Sequence, residues 1–297
     1  MLARLQQFIT IGLVFVATVC AIYLSAIGKP LWASTTAFLI LIAYGAFLGA
    51  EFVAVYFIQT DDVVTRPTTR QLLSAWWSET LVAPRVFLWR QPFRSNAEPD
   101  NLPPGPDGRP GVLLVHGFVC NRGFWNPWMR DLRARNIPFA AINLEPVFGS
   151  IDHYAEVIEA AVVRVEAATG LPVVLVGHSM GGIAIRAWRA RFSDGTRVRR
   201  VITIGSPHQG TWLARFASTA NGREMRLANP WLAKLAAGET EGQYSRFTCF
   251  FGHCDNIVFP AASGMLPGAH NIHVPDTAHV HMAFKPQVFD EVCRWLR

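Results

Sequence analysis

A serine, a set of acids and several late histidines stand at spacings that could run acyl-transfer chemistry. The serine is Ser179, in the run Val173-Val-Leu-Val-Gly177-His178-Ser179-Met180-Gly181-Gly182. A strand-like apolar stretch, Val173 to Val176, leads straight into Gly-x-Ser-x-Gly, and a helix-compatible segment, Ile183 to Arg191, follows. So tight a turn leaves almost no room for side chains beside the serine, and it exposes the hydroxyl at the end of a strand. The bare pattern occurs by chance, as a glycine-rich turn with a capping serine. Between a buried strand and a helix it reads as a nucleophile elbow.

A serine hydroxyl is a weak nucleophile without a base, an acid that orients the base, and donors for the oxyanion. In enzymes built on this elbow the chain order is Ser, then Asp or Glu, then His. The acids in the right interval are Asp194, Glu224, Glu239, Glu241, Asp255 and Asp276. Asp194 ends the elbow helix, the three glutamates fall in an insertion, and Asp276 is too near the histidines to leave a separate strand. Asp255 follows the apolar run Thr248–Phe251 and opens Asp-Asn-Ile-Val-Phe-Pro, at the carboxyl edge where a parallel sheet presents its ligands. The candidate bases are His270, His273, His279 and His281. His279 and His281 lie on the loop after the last strand, and the residues alone do not separate them. His116-Gly117 ends another strand-like run, so the backbone N–H of Phe118 and that of Met180 are the candidate oxyanion donors.

The elements that must position these residues alternate. Val112–Val115, Phe139–Ile142, Val173–Val176, Val201–Ile204 and Thr248–Phe251 read as short buried strands, with a weaker one at Ile272–Val274. Helical patterns cover Trp125–Arg135, Tyr154–Ala168, Gly182–Phe192 and Pro286–Leu296. Such alternation predicts an α/β fold with a mostly parallel sheet covered on both faces. The insertion His208–Ser245 carries an apolar helical stripe, Leu227, Trp231, Leu232 and Leu235, where a lid over acyl chains would sit.

Ahead of this region the composition changes. The 297-residue chain is 51% hydrophobic, with a mean hydropathy of +0.23, and the excess lies at its start. Arg4, Lys29 and Glu51 are the only charged residues before Asp61. Phe8–Ile27 and Leu31–Ile58 are each long enough to cross a hydrocarbon core of about 30 Å. A cleaved signal peptide would have a shorter core and no second span behind it, so the expectation is a transmembrane hairpin turned at Gly28-Lys29-Pro30. Ala17 and Ala21 on the first span and Gly45 and Gly49 on the second offer small faces for close packing or self-association. Glu51 is expected near an interface or, as a rival, in transport. Arg4, Arg66, Arg70, Arg85, Arg90 and Arg94 flank the pair, against Lys29 in its loop, while Asp61 and Asp62 count for little. That bias puts both termini and the catalytic region in the cytoplasm, at an inner-membrane type of bilayer. Leu72, Leu73, Trp76, Trp77 and Leu81 then predict an amphipathic interfacial helix over Gln71–Ala83, stopped by Pro84, and Glu98–Gly111 reads as a Pro-rich linker.

The net charge of +6 is scattered arginine without aromatic interleaving, which points away from nucleic acid and toward anionic lipid. Cys20, Cys120, Cys249, Cys254 and Cys293 show no metal-type pair spacing; Cys249 and Cys254 are near enough to bridge, but the odd count fits reduced thiols. No metal or organic cofactor is implied.

Taken together, Val115-His-Gly-Phe118, the Gly-His-Ser-Met-Gly-Gly elbow, Ile204-Gly-Ser-Pro-His-Gln-Gly-Thr211, Asp-Asn-Ile-Val-Phe-Pro and His279 ahead of Pro286-Gln-Val resemble the bacterial triacylglycerol lipase/esterase branch of the α/β-hydrolases. The likeness spans Gly111 to Arg297. It implies an α/β-hydrolase fold and places the base seven residues before the helix-opening Pro286, which selects His279. Met180 stands where secreted relatives often carry Gln, and a membrane hairpin replaces their cleaved signal. The expected organisation is a hairpin over 1–60, an amphipathic helix and linker over 61–110, and a catalytic domain over 111–297 with a lid at about 208–245. The expected activity is hydrolysis of carboxylic esters with an apolar acyl part by Ser179, Asp255 and His279, with Phe118 and Met180 as oxyanion donors and membrane lipid as partner. The rivals are an acyltransferase or thioesterase on the same residues, and an inert membrane scaffold or transporter.

Overall fold

The computed structural model describes residues 1–60, 63–106, 108–192, 195–239 and 242–296. Asp61, Asp62, Asp194 and Glu241, named above, lie outside them, as do the side chains of Ala37, Ile40, Leu41 and Ile42. Six strands form one parallel sheet: β1 (Val112–Val115), β2 (Phe139–Ala141), β3 (Val173–His178), β4 (Val198–Ile204), β5 (Phe247–Phe251) and β6 (His270–His273), in the order β2-β1-β3-β4-β5-β6. Helices α1 (Leu2–Ala26), α2 (Pro30–Ile58) and α3 (Thr69–Pro84) precede the sheet. Within and after it come α4 (Asn126–Ala134), α5 (Tyr154–Thr169), α6 (Met180–Phe192), α7 (Ala220–Glu224), α8 (Pro230–Ala237), α9 (His279–Met282) and α10 (Pro286–Arg294).

The central strands are continuous Val/Leu/Ile runs because both faces of a parallel sheet are covered. Leu113, Val115, Val173 and Leu175 turn to the face packed by Ile158, Val162, Ile183 and Trp188 of α5 and α6. Their neighbours Val112, Leu114, Val174 and Val176 turn to the face packed by Met129, Leu132, Val288 and Val292 of α4 and α10. A third cluster lies at the carboxyl edge of the sheet. There Phe52 and Val55 of α2 and Leu72 and Ala75 of α3 meet Cys254, Phe259 and Ala278, which belong to the loops after β5 and β6.

The N-terminal elements differ from their expectation in several respects. Among the described residues, one helix is long and apolar enough to cross a membrane, Leu2–Ala26, where two were expected; in α2 the apolar stretch found is the shorter Ala43–Ile58. Gly45 and Gly49 do not make room for α1. They face α3, where the Trp76 indole packs on them and its Nε1 donates to the Gly45 carbonyl at 2.8 Å. The single face assigned to α3 is two faces. Leu72, Ala75, Glu79 and Ala83 are buried, while Leu73, Trp77 and Leu81 form an exposed stripe on the other side. The helix also runs through Pro84. Proline has no N–H to give the preceding turn, and the chain widens into a π-helical stretch, Arg85–Arg90, before a last turn at Gln91–Phe93.

The linker-like segment is docked rather than free. Asn101 pairs with Phe139 on the edge of β2, and the Asp100 carboxylate accepts from Arg122 at 2.6 Å, Arg164 at 2.7 Å and the Ala141 N–H at 3.1 Å. Among the described residues no cysteine forms a disulfide.

Docking of α2 on the loops after β5 and β6 gives a testable asymmetry. Phe52 is 5% exposed and Phe57, five residues on and on the other face of the helix, is 71% exposed. Phe52→Ala is expected to cost about 3–5 kcal/mol, the usual loss for a buried Phe, and to lower the melting temperature in detergent. Phe57→Ala should leave it near that of the wild type.

Candidate active site

Ser179 sits at the junction of β3 and α6 with φ of +54°, the left-handed conformation that so tight a strand–turn–helix forces on a non-glycine residue. Its N–H donates to the Ile204 carbonyl at 2.8 Å, which pins the turn to the end of β4. Gly181 is needed by contact: a Cβ there would come within 2.5 Å of the Val115 carbonyl oxygen. The same closeness brings the exit of β1, and with it Gly117 and Phe118, up against the elbow.

The structure brings Asp255 and His279 together. His279 Nδ1 lies 3.0 and 2.9 Å from the two carboxylate oxygens of Asp255, and both residues are buried. Asp255 Oδ1 also accepts from the Ile257 and Val258 N–H groups at 2.9 and 2.8 Å, so a local turn fixes the carboxylate. Gly205, with φ of +53°, lies against this pair. A Cβ on it would stand 2.9 Å from Asp255 Oδ2 and 3.1 Å from His279 Nδ1. His281 does not face the carboxylate; its ring is held neutral by burial, with its pKa lowered to about 4. His270 and His273 remain on β6. The ring of His116 is neutral and structural. Burial lowers its pKa to about 4, Nδ1 donates to the Gly117 carbonyl at 2.9 Å, and Nε2 accepts the Leu144 N–H at 3.0 Å.

Two carboxylates that the sequence reading left out of the chemistry act on the histidine loop. Glu79 of α3 accepts from the N–H groups of Val280 and His281 at 2.9 and 3.0 Å, capping the short helix that begins with His279. Glu51 of α2 accepts from Asn256 Nδ2 at 2.6 Å, and Asn256 Oδ1 accepts the His279 N–H at 3.2 Å. His178, stacked on Phe124 with ring centroids 4.5 Å apart, has Nε2 3.2 Å from the His279 carbonyl. The backbone of His279 is thereby fixed from three sides. An acid alone on the inward face of an amphipathic helix was the available signal for Glu79, and a single charge in an apolar helix was the signal for Glu51.

The electrostatics follow from this crowding. Burial pushes the Glu79 carboxyl up to about 7, against the two N–H groups that favour its charge. Burial acts to lower the His279 pKa, but Asp255 beside it, with Glu79 and Glu51 farther off, holds it above the usual histidine value. Burial drives His178 well below that value, so it is a neutral donor.

Ser179, His279, Glu51 and Glu79 line one cavity of 520 Å³, whose walls are otherwise mostly apolar side chains of α2, of α3 and its continuation, and of the loops after β1 and β5. That size lies within the about 300–1,000 Å³ of small-molecule sites. On another side of Ser179 a second cavity of 210 Å³ is lined by Leu213, Ala214, Ala217 and Met225 of the insertion. The apolar stripe expected to gate the site packs elsewhere: Leu232 is buried in the main core, with Trp231 and Leu235 against it. The insertion is held down by the buried Arg186–Glu239 ion pair at 2.6 Å and by Glu224, which accepts from Ser150 Oγ at 2.6 Å and the Ile151 N–H at 2.7 Å.

An elbow serine, a buried acid–histidine pair and this sheet order agree with the family whose model matches residues 112–267. The chain belongs to the alpha/beta hydrolase family. Among solved structures it is similar to the mature lipase BlEst2 of Bacillus licheniformis, at 18% identity over 65% of this chain and 95% of that one, with a TM-score of 0.56. It is also similar to lipase B of Aspergillus fumigatus, at 20% identity over 62% of this chain and 52% of that one, with a TM-score of 0.54. At these identities the likeness is one of fold. No curated protein matches the sequence.

A base that works as neutral imidazole loses activity as pH falls through its pKa. With His279 in that role, as proposed below, its raised pKa would put the acid limb of kcat/KM above the usual histidine value of about 6.5. Glu79→Gln removes a negative charge that favours the imidazolium, so the acid limb should move to lower pH in a pH–rate profile. Glu79→Ala frees both N–H groups and is expected to lower kcat by up to about 10²-fold, the order of loss that a misplaced catalytic group produces.

Proposed function

We propose that this protein is a membrane-anchored serine hydrolase that cleaves carboxylic esters with an apolar acyl part. The observation that carries the proposal is a single cavity lined by Ser179, on its elbow, and by His279, whose Nδ1 is held from behind by Asp255, with an apolar helix of the N-terminal region as a wall. In this reading Ser179 Oγ attacks the ester carbonyl while His279 Nε2 takes its proton. Asp255 accepts from Nδ1–H, which fixes the tautomer and stabilises the imidazolium. The backbone N–H groups of Phe118, beside Gly117, and of Met180, at the first turn of α6, receive the oxyanion. Collapse expels the alcohol, protonated by His279, and leaves an acyl-enzyme; water, deprotonated by the same histidine, then releases the acid.

The cavity chemistry favours acyl groups. Tyr44, Phe47, Leu48 and Phe87 give it a mainly apolar lining, and Leu48 is buried while Phe47 is 65% exposed. The proposed organisation keeps the two N-terminal helices as a membrane hairpin, with α3 lying at the interface and the insertion of about 208–245 over the second cavity. Exposed Phe8, Phe15, Ile22 and Tyr23 on α1, and Leu73, Trp77 and Trp89 beyond it, supply the apolar outer surface such a placement needs.

Fluorophosphonate labelling of the purified protein tests the chemistry. Wild type should label and hydrolyse p-nitrophenyl esters, whereas Ser179→Ala should do neither, with a loss of about 10⁴-fold or more in kcat. His279→Ala should match it and His281→Ala should keep much of its activity; a folded Ser179→Ala protein within tenfold of wild type would overturn the assignment.

Reporter fusions test the topology. With both helices inserted and the basic flanks inside, alkaline phosphatase at the C-terminus is expected to be inactive and a fluorescent protein there to be bright. An active phosphatase would place the catalytic domain on the outer side.

A further inference from the structure

Next to the catalytic acid lies a cluster that the proposed chemistry does not use. His253 and Cys254 immediately precede Asp255 in the turn after β5, and Asp276 lies in the turn between β6 and His279. One ligand atom from each of the three falls within 4.8 Å of the others. His253 Nε2 and Asp276 Oδ1 are 3.7 Å apart, too long for a hydrogen bond. Tetrahedral zinc, with bonds of about 2.0–2.3 Å, needs donors about 3.3–3.8 Å apart.

The state of His253 points the same way. Its Nδ1 lies 3.1 Å from the Thr65 carbonyl, so Nδ1 carries the proton and Nε2 keeps its lone pair. Metal-bound histidines are held in this manner, by a hydrogen bond from the other ring nitrogen to a carbonyl or carboxylate. His253 is 3% exposed and its Nε2 has no hydrogen-bond partner, an unpaired buried acceptor that is costly unless something fills the site. His273 packs edge-on against it, ring centroids 4.6 Å apart, with its own Nε2 also unpartnered. Asp276 is half-exposed, which leaves a route from solvent.

We propose that His253 Nε2, Cys254 Sγ and Asp276 Oδ1 bind a zinc ion, with water completing its coordination. A mixed nitrogen, sulfur and oxygen donor set suits zinc, and hard cations such as calcium or magnesium prefer oxygen alone. Binding displaces the Cys254 thiol proton to solvent and forms a Zn–S bond, with no change of oxidation state. The ion would join the turn that carries Asp255 to the one that leads to His279, and through His253 to the connection between α2 and α3. It would act as a brace for the catalytic pair, outside the bond-making steps.

The test uses the full chain purified in detergent, stripped with a chelator and titrated with zinc, with bound metal measured by mass spectrometry. One zinc per chain and a higher melting temperature are expected for the wild type. Cys254→Ser and Asp276→Asn should each weaken binding by at least the about 10–100-fold that loss of an outer-shell partner costs. Cobalt should give a thiolate charge-transfer band in the wild type and none in Cys254→Ser. Asp276 is half-exposed, so its variant is expected to fold, and fluorophosphonate labelling of Ser179 reports that independently. A stripped wild type that takes up no stoichiometric zinc overturns the proposal. So does undiminished binding in both variants.

Discussion

Everything in the site depends on where His279 is held, and its own side-chain bond to Asp255 is only part of that. A four-residue helix begins at His279 immediately after an extended Ala278, and so short an element has little stability of its own. Its first N–H groups have no partner within the helix, and two side chains supply acceptors for three of them: Asn256 for His279, and Glu79 for Val280 and His281. The acceptor on Asn256 is in turn fixed by Glu51. Removing that scaffold would leave the Asp255–His279 bond to hold a loop against its own conformational entropy.

The cost of this arrangement is visible in Glu79. It is 1% exposed, and burial holds its pKa near neutrality, so its charge is maintained by the N–H groups it caps and by the histidine beyond them. A buried carboxylate is a poor source of stability, but it is directional, and its two oxygens specify one position for the loop. Gly205 contributes in the opposite way, by absence of bulk. The Asp255 carboxylate and the His279 ring occupy space that any side chain there would claim. Arg186 plays a comparable part in the insertion. Its buried guanidinium joins Glu239, Tyr244 and the His208 carbonyl, fixing the segment that forms the second cavity to the elbow helix.

The fold was legible in the sequence because the inner strands of a two-sided parallel sheet are mainly apolar runs bounded by Gly, Pro or polar residues; the edge strand β6, His270–His273, is polar and partly exposed, and was expected two residues late at Ile272–Val274. Val112–Val115 was found to the residue, and β4 was found short by its first three residues, Val198-Arg199-Arg200, where two arginines break the apolar run. The elbow was legible for the same reason that it works: only small residues fit beside Ser179. The choice between His279 and His281 was not legible from the residues, since both lie on one loop and only their relation in space to Asp255 separates them. The two faces of α3 were misread because five apolar residues suggested one stripe, whereas partners far along the chain divide them. Gly45 and Gly49 were likewise read as a seat for α1 because spacing cannot say which neighbour fills a small-residue groove.

The N-terminal helices do more than flank the site. A pair of helices whose one task was to hold a protein at a bilayer would have inner faces that are apolar and indifferent to the loops that carry Asp255 and His279. Instead α2 contributes Glu51 to the scaffold of His279, Gln59, whose side chain accepts the Ala261 N–H at 3.0 Å, and Phe52 and Val55 to the cluster behind Asp255. The first turns of α1 are tied in as well, with Gln6 donating to Gln91 at 2.9 Å and Gln7 to the Pro92 carbonyl at 2.6 Å. The outer surfaces of the same helices remain exposed and apolar. Under the proposed reading, one helix layer then meets lipid on one side and the catalytic cavity on the other. An acyl chain moving from bilayer to Ser179 would pass between surfaces of similar polarity, without the desolvation that a site facing water imposes on a polar headgroup alone. The geometry of the base and the supply of substrate would thus both depend on α2.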